Sequence, residues 1–166
     1  MNTSTPQDSL GFTLIELMIT ITILALLVTI GIPSYKKIVE RNAITTAGND
    51  LYASLQLARS EAVSREESVR VEADPGGWSA GWNVVIVASA EEIDRYRMAN
   101  STIGITPKGN FLAPDAGVVT YTSTGRALTA YNEANDHFEI LSNTQKRCVI
   151  MSTTGRPFVK KEEDCP

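Results

Sequence analysis

The chain has one histidine, two cysteines and, before Lys36, no lysine, arginine or histidine at all. The lone His137 stands in no ligand spacing with Cys148 or Cys165, so a zinc-type cluster is not expected. There is no glycine-rich phosphate loop and no histidine paired with a nucleophile, which excludes the common nucleotide-binding and hydrolytic motifs. Neither enzymatic activity nor a cofactor is expected. The charge balance also lacks a pronounced sign: 15 basic residues stand against 19 acidic ones, a formal net charge of −4. That excludes a surface built wholly for nucleic acid, though not a local basic patch. Finally, with no basic residues ahead of the apolar run and no A-x-A site after it, the N-terminus is not an ordinary secretory signal.

What the chain does have is Phe12 to Ile32, FTLIELMITITILALLVTIGI, preceded by Gly11. Apart from Glu16 it contains only apolar residues, threonines and Gly31. A helix of this length spans roughly 31 Å, the thickness of a hydrocarbon core, where backbone groups find no water and must bond within the helix. The run therefore reads as a single membrane anchor. A carboxylate inside such a span is costly and marks function. The span holds no cation, so the partner of Glu16 is expected outside this helix. Cleavage after Gly11 would leave a free α-amino group on Phe12. In a neighbouring copy that charge would neutralise Glu16 where the dielectric is low, and so set the stagger between packed helices.

Gly11-Phe12-Thr13-Leu14-Ile15-Glu16 followed by an apolar run resembles the class III signal of type IV pilins and type II secretion pseudopilins. Leu51 to Ser64, LYASLQLARSEAVS, is similar to minor pilins and pseudopilins of the FimT/FimU and GspH type. The resemblance implies that a prepilin peptidase cuts between Gly11 and Phe12 and methylates the new N-terminal Phe12, and that Glu16 guides the subunit into a filament. It implies as partners other pilins and minor pilins, the peptidase and an inner-membrane assembly platform. The implied location is the bacterial inner membrane, crossed once with the following domain in the periplasm, and then the pilus or a periplasmic pseudopilus. Charge departs from this picture. The leader carries no cation whereas Lys36, Lys37 and Arg41 follow the span, which by charge alone places the N-terminus outside.

The expected organisation is a leader over 1–11, a transmembrane and filament-core helix over 12–33, and a globular domain over 34–166. Within that domain an amphipathic helix covers 34–66 and a β region 67–166. Gly31 and Pro33 predict a kink or local unwinding, either a membrane exit turn or a hinge. Ile44, Ala47, Leu51, Leu55, Ala58 and Ala62 recur at helical spacing, with Arg41, Asn49, Ser54, Arg59 and Arg65 on other faces. Strands are expected at Ser68–Ala73, at Trp82–Ala88 as a run buried on both faces, near Thr102–Thr106 within an otherwise looped 99–116, and at His137–Leu141. Asp136-His137 is expected at the surface. Residues 118–126 (VVTYTSTGR) and 148–156 (CVIMSTTGR) echo one another, each a strand and a glycine turn opening a hairpin. Five to seven antiparallel strands on one helix make an α+β fold.

The resemblance raises one more residue set. In FimT-type chains a C-terminal Gly-Arg-x-Arg stretch binds DNA; here Gly155-Arg156-Pro157-Phe158 lacks the second arginine. Lys160 and Lys161 would replace it as phosphate contacts, while Glu162, Glu163 and Asp164 oppose them, so binding is expected to be weak or absent. Outside the inner membrane Cys148 and Cys165 would form a disulfide, closing a loop whose entropy is worth roughly 3 kcal/mol. The function implied is structural: a minor type IV pilin that primes or joins pilus assembly near the tip, in support of twitching, adhesion or DNA uptake. The alternatives are a GspH-like minor pseudopilin of a type II secretion system and a DNA-binding pilin for natural transformation.

Overall fold

The computed structural model describes residues 11–98, 102–112, 117–143 and 145–166. Helix α1 (Leu14–Arg65) is followed by eight strands: β1 (Val69–Ala73), β2 (Gly81–Ile86), β3 (Glu92–Arg97), β4 (Gly104–Lys108), β5 (Val119–Tyr121), β6 (His137–Leu141), β7 (Lys146–Met151) and β8 (Pro157–Lys161). The residues fall into two compact units, divided between Ile38 and Val39.

In the first unit every described residue is exposed. Its apolar surface includes Phe12, Leu14, Ile15, Leu17 and most of the run to Ile32. Its threonines hide their polarity. The hydroxyls of Thr20, Thr22 and Thr29 donate to the carbonyls of Leu17, Met18 and Ala25 at 2.7–2.8 Å, leaving no hydroxyl needing water. The unwinding expected at Gly31 and Pro33 does not occur, since the helix is continuous through both. Proline removes only one backbone bond, and the surrounding ladder persists.

The second unit has its own core. Here α1 buries Ile44, Ala47, Leu51, Leu55, Ala58 and Ala62, the expected stripe, and Gly48 beside it. Ser54, expected on another face, is buried too. Its hydroxyl accepts a 2.9 Å hydrogen bond from the indole nitrogen of Trp82, a fully buried ring on β2. A buried indole N–H needs an acceptor, and the helix supplies it.

The strands form two four-stranded antiparallel sheets, ordered β3-β2-β1-β5 and β4-β6-β7-β8. This exceeds the expected five to seven strands because β3, EIDRYR, carries four charges in six residues and has no apolar alternation. It survives as an edge strand, where charge is tolerated and guards against further pairing. Its Tyr96 stacks on Trp82 at 4.3 Å. All six residues of β2 are buried, as expected of the Trp82–Ala88 run, although the strand starts at Gly81 and ends at Ile86. The strand expected near Thr102–Thr106 is β4, two residues later. Residues 99–101 and 113–116 of the expected loop lie outside the described residues. Of the two echoed segments, 148–156 leads into the β7–β8 hairpin, whereas 118–126 leads only to an isolated bridge between Tyr121 and Ala127.

Asp136 and His137, expected at the surface, are buried, at 1% and 6% exposure. Asp136 accepts from the backbone amide of Asn110 (2.6 Å), the side-chain amide of Asn110 (2.9 Å) and the backbone amide of Asn132 (2.7 Å). It thus ties the 3₁₀ turn Gly109–Leu112 to the segment entering β6. A carboxylate so bonded can be buried where a bare one cannot.

Candidate functional site

The head of α1 comes first, because a helix N-terminus has amide groups without intrahelical acceptors. Gly11 and Phe12 precede the helix and are exposed, Phe12 at 90%. The leader ahead of them lies outside the described residues. Thr13 and Glu16 then bond reciprocally. The Glu16 amide donates to the Thr13 hydroxyl (3.3 Å), while the Thr13 amide and hydroxyl both donate to Glu16 Oε2 (2.9 Å each). This is a capping box, three residues apart with threonine at the cap and glutamate at its third position. Within its own chain Glu16 is thus bonded at the head of its own helix, by neutral donors and not by a cation. The Thr-x-x-Glu spacing that makes this cap is a local sequence signal.

The echoed turns have matching geometry. The amides of Thr122 and Ser152 donate to the carbonyls of Arg126 and Arg156, at 2.8 and 2.9 Å. The amides of Gly125 and Gly155 donate back to Thr122 and Ser152, each at 2.8 Å. Gly125 and Gly155 have φ of 72° and 77°, in the left-handed region that favours glycine. Space demands glycine as well: a Cβ at Gly155 would lie 2.6 Å from that of Ala127, and one at Gly125 would lie 2.8 Å from Val63 on α1. The buried Tyr121 hydroxyl donates to the Gly155 carbonyl at 3.0 Å and so links β5 of the first sheet to the turn of the second.

The three residues proposed for DNA are spread from the turn before β8 to its end. Arg156 is exposed in the turn before β8 and shares a groove with Gln56, Arg59, Ser60, Val63 and Ser64 of α1. Lys161 closes β8, five residues or about 16 Å further along. Successive strand residues point to opposite faces, so Lys160 and Lys161 part company. Lys160 stands opposite Cys148 and Lys161 opposite Arg147. A cation that does lie beside Arg156 is Arg59, whose place in the sequence marks only a polar helix face.

Cys148 and Cys165 are bonded, with Cα atoms 5.7 Å apart. The bond holds the 3₁₀ turn Glu162–Asp164 and the chain beyond it against β7. Among the described residues no group of three or more His, Cys, Asp or Glu is placed to hold a metal ion.

A family model described as type II transport protein GspH matches residues 47–155, which run from the buried helix stripe to the Gly155 turn. The chain belongs to the GspH family. A second model, the prokaryotic N-terminal methylation motif, matches residues 7–32 of this GspH-family chain. Among solved structures it is similar to the type IV minor pilin FimU of Pseudomonas aeruginosa, at 24% identity and a TM-score of 0.60, covering 76% of this chain and 95% of that one. It is also similar to the minor pseudopilin EpsH from the type 2 secretion system of Vibrio cholerae, at 11% identity and a TM-score of 0.51, covering 70% and 95%. At these identities the likeness is one of fold. No curated protein sequence matches the chain significantly.

Proposed function

We propose that this GspH-family chain is a minor subunit of a type IV pilus, which primes assembly or sits near the filament tip. The observation that carries a subunit role is the first unit. It is a helix whose whole apolar surface is unburied, long and apolar enough to cross a membrane, with one carboxylate at its head. Such a surface needs lipid before assembly and other helices after it. In this reading a prepilin peptidase cuts between Gly11 and Phe12 and methylates Phe12. Glu16 exchanges its own capping contacts for the α-amino group of a neighbouring subunit. The domain from about residue 34 lies in the periplasm and then on the pilus.

The second reading is a minor pseudopilin of a type II secretion system, favoured by the family model and by the fold shared with EpsH. The DNA-uptake reading ranks third, because Arg156 and the Lys160–Lys161 pair lie at opposite ends of β8. A deletion strain scored for surface pili, twitching, transformation and exoprotein secretion separates the three. Loss of pili or twitching with secretion intact is expected, and loss of secretion alone would replace the pilus by the pseudopilus.

A further inference from the structure

One basic cavity in the second unit is left unused by the filament reading. It measures about 260 Å³ and is lined by Arg41 and Ile44 of α1, by Lys146 and Arg147 at the start of β7 with Gln145 before them, and by Lys161 and Glu163 after β8. Four cations and, among the described residues, one carboxylate line it. Strand register explains the crowding. Arg147 and Lys161 are directly opposite across the β7–β8 ladder and therefore project to the same face. Val149 and Val159, the next pair inward on that face, pack on the core, so the face is the one turned to α1. Arg147 lies against α1 at Gly48, where a Cβ would stand in ordinary contact 4.0 Å from its Cδ.

Like charges directly opposite in an antiparallel pair destabilise it. Lys146 is already answered by Glu139, at 2.6 Å on the other face of the sheet. That leaves Arg41, Arg147 and Lys161 converging on one partly enclosed space, against the single carboxylate of Glu163 among the described residues. An arginine fork beside a lysine suits a phosphate oxygen cluster. The chain supplies the source. Arg41 follows Ile32, the last residue of the apolar run, by nine residues, which reach at most about 30 Å even fully extended. Two more cations, Lys36 and Lys37, lie within that tether.

We propose that this pocket binds the phosphodiester headgroup of an anionic phospholipid, and that it docks the domain on the membrane before assembly. The inference rests on the first unit being a membrane anchor. Bound there, the headgroup screens Arg147 from Lys161 and draws Arg41 onto the end of the second sheet.

The test uses the full chain in neutral detergent, with thermal unfolding followed by fluorescence of the buried Trp78 and Trp82. The probes are short-chain phosphatidylglycerol, short-chain phosphatidylcholine and inorganic phosphate, each against wild type and the double variant Arg147→Gln/Lys161→Gln. Phosphatidylglycerol is expected to raise the wild-type midpoint and phosphatidylcholine to leave it unchanged. The double variant should bind about thirtyfold more weakly, at roughly fivefold for each basic residue beside an anionic headgroup. If the double variant does not fold, Arg41→Gln on the exposed helix surface should still lose about fivefold. Inorganic phosphate reproducing the shift at equal concentration would overturn the lipid assignment. No shift with any probe, or an equal shift in the variants, would overturn the site. Filament entry lost in a variant whose lipid response is intact would give the pocket to a neighbour's carboxylate, also against the proposal. Retention in membranes after an alkaline wash tests the anchor separately, since none of these substitutions touches the apolar run.

Discussion

At the scale of single residues, Glu16 has two possible partners and the structure records one of them. Its carboxylate closes a capping box with Thr13, an arrangement that glutamine at the same position also supports. Pairing with the α-amino group of a neighbouring subunit requires the charge. Glu16→Gln and Glu16→Ala should therefore both insert in membranes, and neither should enter filaments beside wild-type subunits. Immunoblots of sheared filaments and of membranes read this out, and a Gln variant that assembles normally would reduce the residue to a helix cap. Ser54 is a second position whose value lies in one bond. Ser54→Ala strands the buried Trp82 N–H and should cost about 1–3 kcal/mol of the second unit's stability, measured by denaturant unfolding. A cost near zero would mean that water reaches the indole.

At the scale of elements, the second sheet depends on what ties its ends. The Cys148–Cys165 bond joins β7 to the turn after β8. Replacing both cysteines by serine should lower stability by roughly 3 kcal/mol under oxidising conditions, with leader processing unaffected. Identical melting of wild type and variant under those conditions would remove the bond from the stability account. The β6 end brings a pH dependence. Burial pushes His137 below its ordinary value of 6.5, so the unfolded chain takes up the proton more readily than the folded one. Its neutral form thus adds stability that is present above that value and lost as pH falls through it. Glu139, held below its ordinary 4.5 chiefly by the hydrogen bond from Lys146, contributes in a lower window and is lost as pH falls further. His137→Gln should flatten the decline in melting temperature between about pH 7 and about pH 5 and leave the steeper acid limb in place. An unchanged slope between those pH values would assign the decline to other groups.

At the scale of the whole molecule, the proposed function asks one chain to exist in two surroundings. A helix with no buried residue to Val39 is stable as a solute only in lipid or among other helices, whereas the unit from Val39 onward has a core of its own. Processing at the head of the helix would govern passage between these surroundings. Gly11 is exposed, and its Cα meets open space where a side chain would be. Gly11→Val is therefore expected to fold and insert normally while blocking cleavage, because it adds bulk only at the scissile bond. Mass spectrometry should find wild type beginning at a methylated Phe12 and the variant retaining residues 1–11. A wild-type chain recovered from filaments with its leader intact would sink this reading.

Patterns that repeat over a few residues were legible without any structure. The apolar run, the stripe from Ile44 to Ala62, the strand His137–Leu141 and the twin glycine turns all follow from periods of 3.6 and 2 and from turn chemistry, which act locally. The Glu16 cap is just as local, its signal the spacing of Thr13 and Glu16. What the sequence could not decide was which local pieces meet. The charged β3 exists because β2 offers it a ladder, and Ser54 is buried because Trp82 arrives from 28 residues away. Asp136 leaves the surface only because Asn110 and Asn132 converge on it. Adjacency in sequence joined Lys160 to Lys161, but strand alternation separates them and sets Lys161 against Arg147 instead. Pairing register depends on contacts far apart in the chain, and no short window of residues contains them.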